Sequence, residues 1–141
     1  MEVKKIPLIA VEDIESKTPG IDPTTVNKLI SYFNVLFEKR TTPLYIFFNP
    51  DVIQHAEKIQ ADPKAVFTSL NFLSSHFMDE IKHEVILDYD GLFYKLQEED
   101  LLELKTKNQL HNPDDPRTVY GNARDLVRHA FVVELKPDEA G

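Results

Sequence analysis

Glu84-Val85-Ile86-Leu87-Asp88-Tyr89-Asp90-Gly91-Leu92-Phe93-Tyr94-Lys95-Leu96, EVILDYDGLFYKL, places two apolar runs on either side of Asp90-Gly91. Branched and aromatic residues fill both runs and favour extended backbone, while Asp-Gly accommodates the positive φ of a two-residue hairpin turn. The stretch predicts a β-hairpin near 85–96. In a chain whose other signals are mostly helical, that hairpin decides for an α+β fold over a helical bundle.

Working outward, proline marks the helices. Asp or Asn precedes proline, with residues able to continue a helix beyond, in Asp22-Pro23, Asn49-Pro50, Asp62-Pro63 and Asp115-Pro116. The Asp or Asn side chain accepts amide protons of the first turn, and proline at the next position has no amide proton to lose. Helix starts are predicted near 23, 50, 63 and 116. The first helix, 23–40, carries Val26, Leu29, Ile30, Phe33, Leu36 and Phe37 at helical spacing. The third, 63 to about 83, carries Val66, Leu70, Leu73, Phe77 and Ile81. LYIFF at 44–48 reads as a buried strand, EEDLLELKTK at 98–107 as a short helix and FVVEL at 131–135 as a last strand. A turn is expected at 112–115 and a helix in RTVYGNARDLVRHA. About five helices and a small sheet result, in a single domain over 1–136 with a frayed tail at 137–141.

Twelve of the fourteen aromatics lie between Tyr32 and Tyr94, so the centre of the core is expected there. The order helix, strand, helix, helix, hairpin over 23–96 is also that of a winged helix, an analogy of shape alone.

At 141 residues the chain is long enough for a core without disulfides or metals, and it contains no cysteine for either. The run Ile6–Val11 follows two lysines but contains Pro7 and leads straight into acids, so it fails as a signal peptide. No apolar run approaches the roughly 20 residues of a membrane helix. A cytoplasmic protein without membrane attachment is expected. The net charge of −8 opposes general affinity for nucleic acid. Residues 84–104 hold seven acids against Lys95, whereas 105–129 hold five basic residues against three acids. This polarisation points to a surface that meets another protein.

Three clusters are candidates for function. Glu98, Glu99, Asp100 and Glu103 open the 98–107 helix beside Leu102, which cannot share a face with Leu104 because the two are about 200° apart. Acids that steer and a leucine that anchors suit a basic protein partner. Arg124, Arg128 and His129 form a candidate anion site. His76–Glu84, HFMDEIKHE, holds two histidines and three carboxylates in nine residues. Read on a helix, Glu80 can share a face with His76 or with His83. Glu-x-x-His is the pair of di-iron carboxylate bundles, which need a second copy and two further helical glutamates. His76 and His83 would also lie about 10 Å apart along the axis.

No metal and no cofactor are therefore expected, with His76, Glu80 and His83 as the alternative ligand set. With only four glycines there is no phosphate-binding loop, and no Gly-x-Ser-x-Gly elbow occurs. The expected function is protein–protein binding, as a regulator, inhibitor, immunity protein or assembly factor. One alternative is a metal- or anion-dependent enzyme using His76, Glu80 and His83 or Arg124 and Arg128. The other is a winged-helix nucleic-acid binder, which an acidic wing disfavours.

Overall fold

The computed structural model describes residues 5–89, 92–112 and 114–136. Contacts group them into two compact units, one running to His83 and resuming at Phe131, the other Glu84–Ala130. The first unit begins with an extended segment, 5–10, followed by α1 (Val11–Lys17), α2 (Pro23–Leu36), β1 (Leu44–Phe47), α3 (Pro50–Lys58) and α4 (Pro63–His76). Strand β2 (Ile81–Tyr89) leads into the second unit, which holds β3 (Leu92–Lys95), α5 (Glu98–Lys107), β4 (Gln109–His111), β5 (Val119–Gly121) and a 3-10 turn (Ala123–Leu126). Strand β6 (Val127–Val133) leads back to the first. The α+β reading holds, with five α-helices, a four-stranded sheet of order β1-β6-β2-β3 and a β4-β5 pair among the described residues.

The hairpin forms as read. Strands β2 and β3 are antiparallel with Ile86 opposite Lys95 and Tyr89 opposite Leu92, which leaves two residues for the connection. The Asp90-Gly91 turn itself lies outside the described residues, as does the tail at 137–141. The chain order of a winged helix is present, but the hairpin is bonded to the C-terminal strand β6, which separates it from β1.

Three of the four pairs read as helix starts do start helices, and only one does so by the expected bond. Asp22 accepts the Thr24 N–H at 3.1 Å and the Thr25 hydroxyl at 2.8 Å. Neither Asn49 nor Asp62 makes a side-chain cap bond. Asp51, inside the first turn of α3, instead takes the Phe47 N–H at 3.0 Å and closes the corner after β1. The proline's preset φ and missing N–H are enough to begin these two helices.

The fourth pair starts no helix. Asp115 accepts the Arg117 N–H and the Thr118 hydroxyl, an aspartate-held turn that runs into β5. Residues read as one helix from 116 are β5, the 3-10 turn and the start of β6. Asn122 takes a left-handed φ of 52°, which breaks a helix, and the branched residues beyond it join the sheet.

The third helix is also shorter than its apolar spacing predicts. It stops at His76, and Phe77 accepts the N–H groups of Glu80 and Ile81 in the turn that begins β2. Ile81 is fully buried, as the helical register requires, but from a strand. Helix α1 carries one buried side chain, Ile14, too little for a helical period to show.

The core of the first unit gathers Val26, Leu29, Ile30 and Phe33 of α2 with Val66, Leu70 and Leu73 of α4, together with Ile46, Phe131 and Val133. Phe131 lies 5.0 Å from the Phe48 ring and 5.7 Å from Phe67, and His83 stacks on Phe48 at 5.2 Å. The second unit has its own smaller core of Leu87, Leu96, Leu104, Leu110 and Ala123.

Truncating Phe131 to alanine should lower stability by roughly 3–5 kcal/mol in denaturant melts. Asp22→Ala should cost about 1 kcal/mol and Asp62→Ala much less, because only Asp22 makes the cap bond. Equal losses at the two positions would show that the side-chain bond is not what distinguishes them.

Candidate functional site

Helix α5 is held at both ends by its own sequence. At the start, the Asp100 carboxylate accepts the Gln97 N–H at 2.9 Å in a capping box, and Glu98 and Glu99 add negative charge at the positive end of the helix dipole. At the end, Asn108 turns left-handed at φ 50°, a conformation asparagine tolerates. Its carbonyl takes the Ala123 N–H at 3.1 Å and its side chain the Arg124 N–H at 2.8 Å. The Arg124 guanidinium donates to the Lys105 carbonyl at 2.7 Å, one of the last carbonyls that no helical N–H reaches.

These bonds sort the five residues of the expected partner surface. Asp100 is engaged in the cap, and Glu103 meets His111 Nδ1 on β4 at 2.7 Å. Leu104 turns into the core of the second unit. Glu98 and Glu99 are exposed, and Leu102 is 64% exposed beside them. An apolar side chain so exposed next to two acids is the most partner-like feature of the helix. The neighbouring acids are partly neutralised, since Lys95 reaches Glu84 at 3.2 Å and Arg128 reaches Asp88 at 3.1 Å.

The candidate anion set is divided in its engagements. Arg124 closes α5 and Arg128 pairs with Asp88. His129 follows Arg128 directly on β6, and successive strand residues project to opposite faces.

The alternative metal set is not one helical face. His76 ends α4 and stacks on Phe72 at 5.6 Å, Glu80 lies in the turn, and His83 is on β2. Among the described residues no group of three or more His, Cys, Asp or Glu is arranged to hold a metal ion.

One polar pair in the first unit gave no signal in the sequence. The Tyr32 hydroxyl on α2 lies 2.7 Å from His55 Nδ1 on α3. Burial lowers the His55 pKa first, helped by the positive charges of Lys58 and Arg40 and opposed by Asp51. A neutral ring protonated on Nε2 accepts the Tyr32 proton at Nδ1, and burial raises the Tyr32 pKa so that it keeps that proton. The two residues are 23 apart in the chain and on different helices, so no local spacing could announce them.

Comparison with protein-family models, with curated proteins and with solved structures finds no match to this chain.

Because the folded-state pKa of His55 is depressed, the folded protein binds fewer protons than the unfolded chain below the ordinary histidine value. Its contribution to stability should be complete above about pH 6.5 and fall away as the pH drops through the lowered value. Denaturant melts between pH 4 and 8 should show this slope weakened in His55→Phe. An unchanged slope would place the acid sensitivity elsewhere.

Proposed function

We propose that this protein acts by binding another protein, and that Glu98, Glu99 and Leu102 at the front of α5 meet a basic partner. The observation that carries the reading is Leu102, 64% exposed on a helix whose cap, core leucine and C-terminus are all otherwise engaged. Association buries such an anchor, while the exposed acids beside it steer an oppositely charged surface toward it. The overall charge of −8 adds to that steering and opposes nucleic-acid phosphates. Among the described residues no helix is long and apolar enough to cross a membrane. Regulator, inhibitor, immunity protein and assembly factor all fit this mode of action.

Changing Glu98 and Glu99 to lysine should leave the melting temperature nearly unchanged, because exposed charges contribute little to stability. Association with a partner recovered on the wild-type chain should slow by about tenfold or more at low salt, and by less at high salt where screening removes the steering. Leu102→Asp should chiefly speed dissociation. Equal rates for wild type and both variants at low ionic strength would remove this helix from the interface.

A further inference from the structure

Strand β3 ends its sheet, and its pairing shows which backbone groups are left over. In the order β1-β6-β2-β3 it has β2 on one side and, among the described residues, no strand on the other. The Leu96 N–H meets the Val85 carbonyl at 3.0 Å, in step with the register that sets Lys95 opposite Ile86 and Tyr94 opposite Leu87. Opposed residues of an antiparallel pair alternate between bonded and unbonded, so Leu96, Tyr94 and Leu92 are the residues that bond to β2. The N–H and carbonyl of Lys95 and of Phe93 therefore point away from β2, along the outer edge.

An outward lysine commonly shields such an edge, but the Lys95 ammonium is turned to Glu84 on β2 at 3.2 Å. At the other end of the sheet the Asp51 side chain takes the Phe47 N–H of β1, and among the described residues no side chain does this for Lys95. The edge also leads into the front of α5. Phe93 is 45% exposed, Lys95, Gln97, Glu98 and Glu99 follow as exposed residues, and Leu102 lies beyond them. Between them Leu96 enters the same small core as Leu104, so the strand edge and the helix front belong to one unit.

We propose that β3 receives an extended segment of the protein partner as an added antiparallel strand, with basic residues at the segment's N-terminal end and branched aliphatic residues after them. Main-chain bonds to the edge hold an extended chain, and side chains select among such chains. In the antiparallel direction the N-terminal end of the segment lies where β3 runs into Glu98 and Glu99, so lysine or arginine there meets the two acids. A branched side chain opposite Phe93 makes a favourable cross-strand pair with its ring. Four residues are a short template, so the backbone bonds set the register while the acids speed the encounter. This mode rests on the front of α5 being the partner surface, and it names the kind of segment that surface meets.

The probe is a fluorescent peptide, Lys-Arg-Thr-Val-Thr-Val, titrated into the full wild-type chain at low salt. Anisotropy should report binding, and the Lys95 amide should become protected from exchange while the Tyr94 amide, already bonded to β2, does not change. Methylating the two valine nitrogens, which face the edge, should weaken binding by about tenfold or more, whereas methylating the two threonine nitrogens should not. Lys95→Pro, which removes an outward N–H without touching the bonds to β2, should match the valine-methylated peptide, and Lys95→Ala should stay within about threefold of wild type. If Lys95→Pro does not fold, the methylated peptides decide the matter on the wild-type chain. No binding at about millimolar peptide, equal binding of both methylated peptides, or an unprotected Lys95 amide overturns the proposal. So does dimerisation through β3 that Lys95→Pro abolishes, which would make a second copy the occupant. Joint reversal of Glu98 and Glu99 to lysine separates this mode from the reading it rests on. A large loss on reversal with no effect of valine methylation removes the edge and leaves the α5 surface, and the converse keeps the edge and removes the acids.

Discussion

The burial of Phe131 is the contact on which the first unit depends. Its ring meets Phe48, Phe67 and His83, which follow β1, lie within α4 and lie on β2 respectively. All three stand far earlier in the chain. The last strand must therefore return to the middle of the sheet, and β6 takes its place between β1 and β2. Ala130 and Phe131 are adjacent and both fully buried, as expected for a strand covered on both faces. A strand in that position cannot form until distant segments have met, so the contact costs loop-closure entropy before it contributes stability.

The second unit is organised by shorter-range chemistry. Helix α5 caps its own start, and its end is closed by Asn108 and by Arg124, sixteen residues further on. This arrangement engages an arginine that would otherwise suit an anion, and it fixes which leucine faces inward. Once Leu104 is committed to the core, Leu102 must lie outside, because the two are about 200° apart on the helix. The exposed leucine beside Glu98 and Glu99 is thus a geometric consequence of how the unit closes.

Asparagine does three different jobs in this chain, and the type of residue alone does not distinguish them. Asn108 and Asn122 occupy left-handed positions at ends of elements, where a short polar side chain tolerates positive φ. Asn112 holds the turn before β5 by accepting the N–H groups of Asp114 and Asp115. Asn27 and Asn34 act across space, on a segment with no regular structure of its own. Only their seven-residue spacing on one helix hints at a shared task.

Local chemistry determined much of this architecture. Three Asp/Asn-Pro pairs began helices, the period of Val26, Leu29, Ile30 and Phe33 set the buried face of α2, and the runs around Asp90-Gly91 became the paired strands β2 and β3. The acidic start of α5 and the outward position of Leu102 also followed from helical geometry. Tertiary structure decided the cases in which two local readings were compatible with one pattern. Ile81 continues the helical spacing of α4 and also starts an alternating strand, and pairing with the returning β6 selected the strand. Residues 116–130 lost their helix for the same reason, because extended backbone could join a sheet already present. The union of Tyr32 with His55, and of Asn27 and Asn34 with the N-terminal segment, required separate elements to be brought together. A linear chain records the residues for such pairings, but their proximity arises only when packing fixes the distance between them.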